Sequence, residues 1–438
     1  MRIEAPRGTL DVLPADQPRR DAVLAAAETV AERCGYGRVV TPTFEDTELF
    51  ARTSGAGSDV VQKEMYTFED RSGRSLTLRP EGTAPVARAY LEHGLHREPQ
   101  PVKTFYVGPM FRYSRPAKGR YREFWQIGFE ATGSDDPAVD AELIQLFTEI
   151  ERLAEIRHTR LELNSIGDRE CRPAYVEGLR AFLAERRDEL DEEARLRADV
   201  SPLRVFDTDN EAVRRVLAEA PKIGESLCDA CREHFAEVRA FLDAYEVEYE
   251  LVPTLVRGLD YYTRTVFEFV NAELGAAQAT ICAGGRYDYL VEEIGGDPTP
   301  GVGWAAGVER LVMSSDFEPE RARLDVFVVC DERADRPRVL AQVAELRRAG
   351  LHCDVDYAGR SLKGQMTQAG RRGARKVVRV LGDEATLRAE GADVGGSFRA
   401  AEIAAVVLGH PGPPPASERN AEKRTRGART VPEEEQSR

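Results

Sequence analysis

Between residues 103 and 122 the chain carries six basic side chains (Lys103, Arg112, Arg115, Lys118, Arg120 and Arg122) and no acid. An arginine that leaves a strand beside a basic loop has the makings of a phosphate grip, because a planar guanidinium meets two oxygens at once. The segment that follows, REFWQIGFEA (122–131), alternates with a period of two. That period puts Trp125, Ile127 and Phe129 on one face and Gln126, Gly128 and Glu130 on the other. If the two segments pair as strands, Arg112 shares the polar face with Gln126 and Glu130. A carboxylate and an amide beside a guanidinium fit a small cationic or zwitterionic ligand together with a phosphate. A solvated hairpin with a structural ion pair is the competing reading.

Other residues extend this surface. RPEGTAP (79–85) sets Glu81 and Thr83 on a strand-to-helix corner, where free backbone amides and a polar cap coincide. GVGWAAGVERL places Gly301, Gly303 and Gly307 ahead of Arg310, and glycine allows close approach of backbone or a planar ligand. The run matches neither the dinucleotide fingerprint nor the Walker pattern. RGLDYY and GGRYD add Arg257, Tyr261, Tyr262, Arg286 and Tyr287, although tyrosines are also ordinary core residues. Cys228-x-x-Cys231 with His234 supplies three ligands inside an expected helix, where a structural zinc wants four, so no protein zinc site is expected. Six scattered histidines offer no Ser/His/Asp triad.

A second basic concentration lies at 357–382: Arg360, Lys363, Arg371, Arg372, Arg375, Lys376 and Arg379, again with no acid. In a chain with formal charge -15 that local asymmetry points to RNA, since local patches rather than net charge decide nucleic-acid binding. A merely charged surface is the alternative. Arginine dominates the basic set, with only seven lysines among 61 basic residues.

Those residues need elements to hold them. Asp16, Pro18 and the spacing of Val23, Ala27, Val30 and Cys34 predict a helix stopped at Gly35. A short strand is expected at 38–40 and another at 75–79. Thr83 is read as the cap of a helix reaching Gly94. Strands at 102–112 and 122–131 follow, then a helix from Asp136–Pro137 to about Ile156. Hairpins rather than βαβ repeats make this an α+β domain on a mainly antiparallel sheet. Residues 170–250 read as a charged helical insertion, and strands return at 254–312. From Leu324 strand and helix alternate in a small α/β domain. The expected division is 1–320, 324–409 and a tail at 411–438 with almost nothing to bury. At 438 residues, with 42% apolar and 31% charged side chains and seven irregularly spaced cysteines, no disulfide framework is called for. No apolar run approaches a membrane span and no signal-peptide core opens the chain, so a cytoplasmic protein without a membrane partner is expected.

The motifs together resemble the bacterial-type histidyl-tRNA synthetase family of class II aminoacyl-tRNA synthetases, over residues 1 to about 409. PTFEDTELFARTSG is similar to motif 1, GPMFRYSRPAKGRYREFWQIGFE to motif 2 and GVGWAAGVERL to motif 3. LVRGLDYYTRTVFEF and AGGRYDYL resemble the two histidine-specific signatures, the most specific features in the chain. The resemblance implies a class II catalytic domain with a helical insertion and a C-terminal α/β anticodon-binding domain. It implies activation of histidine by ATP with Mg²⁺, transfer to the 3′ end of tRNA(His), and a homodimer.

Carried over by motif, Arg112 grips the ATP α-phosphate and the substrate carboxylate, and Arg310 the γ-phosphate. Arg257 lies near the α-phosphate and carboxylate. Glu81, Thr83 and Glu130 surround the histidine α-amino group, with Gln126 beside the amino acid. Tyr261, Tyr262 and Tyr287 belong to the signatures of the imidazole pocket. Arg115, Lys118 and Arg120 in the motif 2 loop, and Arg360, Lys363, Arg371, Arg372, Arg375 and Lys376 in the last domain, are the implied tRNA contacts. Two positions depart from the family pattern: Ser114 replaces a glutamate that touches adenine, and Ala117 a glutamine facing the acceptor end. The inert paralogue that regulates ATP phosphoribosyltransferase would lack residues like 324–409 and erode these signatures. Glycine, threonine or proline synthetases would lack RGLDYY and GGRYD.

Overall fold

The computed structural model describes residues 3–53, 60–208, 210–275, 279–319, 324–381, 384–389 and 392–394. The chain forms two compact units, Met1–Pro319 and Glu320–Arg438. The expected tail at 411–438 lies outside the described residues.

The first unit is built on an eight-stranded sheet. Its spatial order is Gly37–Arg38, Val102–Phe111, Glu123–Thr132, Gly301–Gly307, Thr280–Arg286, Thr263–Asn271, Thr159–Ser165 and Glu250–Leu251. The central pairings are antiparallel, and only the two short edge strands pair in parallel. The fold is therefore α+β on a mainly antiparallel sheet. The hairpin register sets Thr104 opposite Glu130 and Gly108 opposite Gln126. Gly303 lies opposite Glu130 from the other side, so the motif 2 and motif 3 resemblances fall on neighbouring strands.

One sheet face carries the main core. Ile127, Phe129, Trp304 and Phe267 pack there against the helices Gln17–Cys34 and Pro137–Leu153. Phe129 stacks on Trp304 with centroids 4.7 Å apart, and the Trp304 indole donates to the Leu143 carbonyl at 2.8 Å. Asp136 caps the second helix through the Ala138 amide at 2.9 Å, as its position before Pro137 predicts. Asp16 makes no such side-chain bond at the first helix.

The insertion holds the helices Arg172–Glu185, Glu192–Val200, Glu211–Ala218 and Asp229–Ala244. Leu179, Leu183, Val213 and Leu217 supply its own core. Its dense charge is spent largely on exposed ion pairs such as Arg187–Asp199 and Arg186–Glu219, which stabilise little. In the second unit, parallel strands Cys353–Val355, Val326–Cys330 and Lys376–Leu381 are extended by antiparallel Glu384–Ala389 and Ala392–Val394. The helices Arg336–Arg348 and Leu362–Arg371 accompany that sheet among the described residues. No helix among the described residues is long and apolar enough to cross a membrane.

Candidate active site

The polar face of the sheet opens into a cavity of about 320 Å³. Glu81, Thr83, Arg112, Gln126, Arg257, Tyr261, Tyr262 and Arg310 line it, together with Ser114 and Arg120. Residues separated by more than 200 positions thus meet at one place, where Glu64, Glu268 and Glu309 also reach the lining among the arginines.

The acidic corner starts at the turn into the helix Thr83–Glu92. Thr83 is the first helical residue rather than the cap. Glu81 satisfies the helix start instead, accepting the amides of Thr83 at 2.7 Å and Ala84 at 3.0 Å. That leaves the Thr83 hydroxyl free to donate to Glu130 at 2.7 Å. Tyr287 donates to the other Glu130 oxygen at 2.6 Å. Glu130 is fully buried, and burial pushes its pKa up to about 8 against those two donors. Glu81 is raised as well, by burial, against its two backbone amides and the nearby Arg112. Glu130 and Tyr287 stand behind the cavity wall rather than on it.

The glycines of GVG have a physical reason. A Cβ at Gly303 would occupy the Glu130 carboxylate, and one at Gly301 would strike the Tyr287 ring. The amide oxygen of Gln126, on the cavity wall, is buried with no hydrogen-bond partner. An unsatisfied acceptor of this kind costs about 1–3 kcal/mol and asks for a donor from a ligand or water.

Arg112 donates through Nε to the Pro80 carbonyl at 2.8 Å, next to Glu81 in the chain. Arg310 is held at both ends, donating from Nε to the Gly119 carbonyl at 3.0 Å and from Nη1 to that of Thr280 at 2.6 Å. Neither guanidinium has a carboxylate partner among the described residues. Burial, and then the neighbouring Arg112 and Arg120, lower the pKa of Arg310. Converging, part-desolvated cations are costly without a counter-anion, so this wall is built for a polyanion. Arg257 differs, because it is ion-paired with Glu268, which Thr280 also binds at 2.7 Å.

Sequence reasoning missed Glu268. Its one signal was a charge inside the apolar run VFEFV, on the same face as Val266 and Val270. Arg286, noted beside the tyrosines, is no cavity residue. It is fully buried and ion-paired with Asp140 and Asp288. The three-ligand count for Cys228-x-x-Cys231 also needs correcting. His234 sits apart beside Asp140 at 3.8 Å, whereas Asp168 and Cys171 come within 4.8 Å of both cysteines.

Of the basic tRNA-contact candidates, Arg120 reaches the cavity and pairs with Glu64 at 3.3 Å. Arg115 and Lys118 lie on the loop after Arg112 and do not line the cavity. In the second unit, Arg360, Arg372 and Arg375 are paired with Asp356, Asp354 and Asp325. The acids come from outside the 357–382 window, so its positive excess is smaller than the sequence suggests. Lys363, Arg371 and Lys376 form no ion pair among the described residues.

A family model described as histidyl-tRNA synthetase matches residues 8–311. The histidine--tRNA ligase of Rubrobacter xylanophilus is 48% identical over 393 residues, covering 88% of this chain and 92% of that protein. That of Halothermothrix orenii is 46% identical over 388 residues, covering 87% and 92%. The apo crystal structure of S. aureus histidyl-tRNA synthetase superposes with a TM-score of 0.75 at 34% identity, covering 93% of this chain and 99% of that one.

Proposed function

The chain belongs to the histidyl-tRNA synthetase family, and from that premise we propose that the 320 Å³ cavity is where histidine and ATP react. The activity is that of a histidine--tRNA ligase. Histidine is activated by ATP to histidyl-adenylate with release of pyrophosphate, and the histidyl group then passes to the 3′ end of tRNA(His).

One observation carries the assignment of the site. A buried carboxylate corner, Glu81 backed by Glu130, shares one cavity with Arg112, Arg120 and Arg310, whose charges converge. Such a site suits a molecule that is cationic at one end and becomes joined to phosphate at the other. Glu81 and the unsatisfied Gln126 oxygen receive the α-ammonium of histidine. Glu130 acts one layer behind, fixing the hydroxyls of Thr83 and Tyr287. Tyr261 and Tyr262, with centroids 4.6 Å apart, form the wall for the imidazole.

Both steps displace at a centre where negative charge gathers on oxygen, so neither needs a protein nucleophile. Arg112 and Arg257 stabilise charge on the α-phosphate as the histidine carboxylate attacks, and Arg310 holds the γ-phosphate end. Glu268, the carboxylate paired with Arg257, is a hard oxygen donor that would suit Mg²⁺ carried in on the ATP phosphates. When bound, that ion neutralises phosphate charge. Arg115, Lys118 and Arg120 are read as contacts to the acceptor end of tRNA. Lys363, Arg371 and Lys376 are read as the stronger anticodon-side contacts, and the ion-paired Arg360, Arg372 and Arg375 as the weaker ones.

Pyrophosphate exchange with each of the twenty amino acids tests the site's specificity. Exchange should appear mainly with histidine, and equal exchange with any other amino acid overturns the reading of the Glu81–Tyr262 pocket.

A further inference from the structure

At the point where the insertion leaves the catalytic sheet, the chain brings together Asp168, Cys171, Cys228 and Cys231, with one ligand atom from each within 4.8 Å of all the others. Cys171, Cys231 and Asp168 are buried and Cys228 is half-buried. We propose that these four side chains form a structural zinc site that fastens the entry and exit of the helical insertion to the catalytic sheet.

The spacing has the dimensions of an occupied site. Tetrahedral zinc with Zn–S of about 2.3 Å and Zn–O of about 2.0 Å requires sulfurs roughly 3.8 Å apart and an oxygen about 3.5 Å from each sulfur. The Sγ atoms of Cys171 and Cys231 are 3.9 Å apart, and Asp168 Oδ1 lies 3.6 Å from Cys171 Sγ. A disulfide needs its sulfurs about 2.05 Å apart, and joining any two would strand the third. Three thiolates and one carboxylate are also a soft, four-coordinate set that favours zinc over magnesium or calcium.

The surroundings fit an anionic metal–thiolate centre. Gly167 takes φ +65, and a Cβ there would collide with Cys171 Sγ at 2.6 Å, so the backbone yields its place to the sulfur. The Asp168 amide points at the same sulfur, 3.5 Å away. Cys228 occupies the N-cap of the 16-residue helix Asp229–Ala244, where the helix start favours negative charge. Arg264 offsets the ligand charge through Asp168 at 3.5 Å.

Topology supplies the role. Cys171 immediately precedes the first insertion helix and Cys228 the last, so one ion would close the whole segment between them. All four positions are taken by protein, the mark of a structural rather than a catalytic zinc. Arg172, next to a ligand, donates to the carbonyls of Gly167 at 2.9 Å and Tyr262 at 2.7 Å. Through it the metal would steady a wall of the amino-acid pocket. That consequence rests on the reading of Tyr262 given above, whereas the site itself does not.

The test is metal content and coordination of the full-length protein, purified with thiols reduced. We expect one zinc per chain by elemental analysis. After stripping, Co²⁺ should bind with the visible bands of tetrahedral cobalt and near-ultraviolet thiolate charge transfer, and Zn²⁺ should displace it. Cys231→Ser should abolish that spectrum and Cys34→Ser should leave it unchanged. Restoring Zn²⁺ should raise the melting temperature and protect 172–228 from proteolysis. Reduced wild-type protein that carries no zinc and gives no tetrahedral cobalt spectrum overturns the proposal, however the variants fold. So does a resident Cys171–Cys231 disulfide.

Discussion

Tyr287 donates its phenol hydrogen to Glu130 across 2.6 Å, and the acid it binds has no access to solvent. The two arrive from different signatures, and the missing side chains of Gly301 and Gly303 leave room for both. Burial raises the Glu130 pKa to about 8, above the ordinary value for an exposed glutamate of about 4.3. The folded protein therefore binds a proton on Glu130 that the unfolded chain has released between those limits. Stability from this group is fully present below the lower limit and is lost as pH rises through about 8. Glu130→Gln removes the titration. Melting temperatures of wild type minus variant should fall steadily between pH 5 and pH 8, and a flat difference would remove Glu130 as the titrating group.

Arg257 should matter more to chemistry than to histidine binding. Loss of one preorganised donor to developing charge typically slows turnover on the order of 100- to 1000-fold. Arg257→Ala should show that loss in single-turnover adenylate formation at saturating ATP and histidine. Arg257→Lys should recover part of it, because a lysine cannot span two oxygens. If Arg257 serves only its ion pair with Glu268, the alanine variant loses stability and keeps its rate.

The chemistry-bearing positions were legible because strand period and motif spacing act locally. Period two separated Gln126 from Phe129, and both fell on the expected faces. What escaped depends on distant partners. Thr83 looks like a helix cap in sequence, yet Glu81 reaches the free amides first and the hydroxyl turns to a strand 47 residues away. Cys228 and Cys231 looked one ligand short, since Cys171 and Asp168 stand 57 and 60 positions before Cys228. The basic window at 357–382 looked unopposed, but Asp325, Asp354 and Asp356 face it from neighbouring strand ends and loops.

That neutralisation sharpens the role proposed for the second unit. A chain ending at Pro319 keeps every cavity residue and should retain histidine-dependent pyrophosphate exchange within a few-fold. Its tRNA charging efficiency should fall steeply. Within the full-length chain, Lys363→Ala with Arg371→Ala should raise KM for tRNA more than Arg360→Ala with Arg372→Ala, whose cations already serve aspartates. Exposed phosphate contacts of this kind weaken with salt, so the first pair should also flatten the salt dependence of tRNA binding. Unaltered charging by the truncated chain would refute the role given to residues 320–438.

The homodimer expectation can be tied to particular side chains. The helix Gln17–Cys34 buries Val23, Ala27 and Val30 in its own subunit, so it does not present that face to a partner. Exposed apolar side chains follow it in the chain: Val40 is 79% exposed, and Phe44 and Phe68, edge-to-face at 6.2 Å, are exposed as well. A two-fold contact that used these side chains would set them against their own copies. Sedimentation equilibrium at micromolar concentration should return about twice the 48.7 kDa chain mass. Val40→Glu with Phe44→Glu should shift the protein to monomer without lowering its helix content, because neither side chain enters the subunit core. A monomeric wild type would refute the dimer. A doubly substituted protein that stays fully dimeric would place the interface elsewhere on the surface.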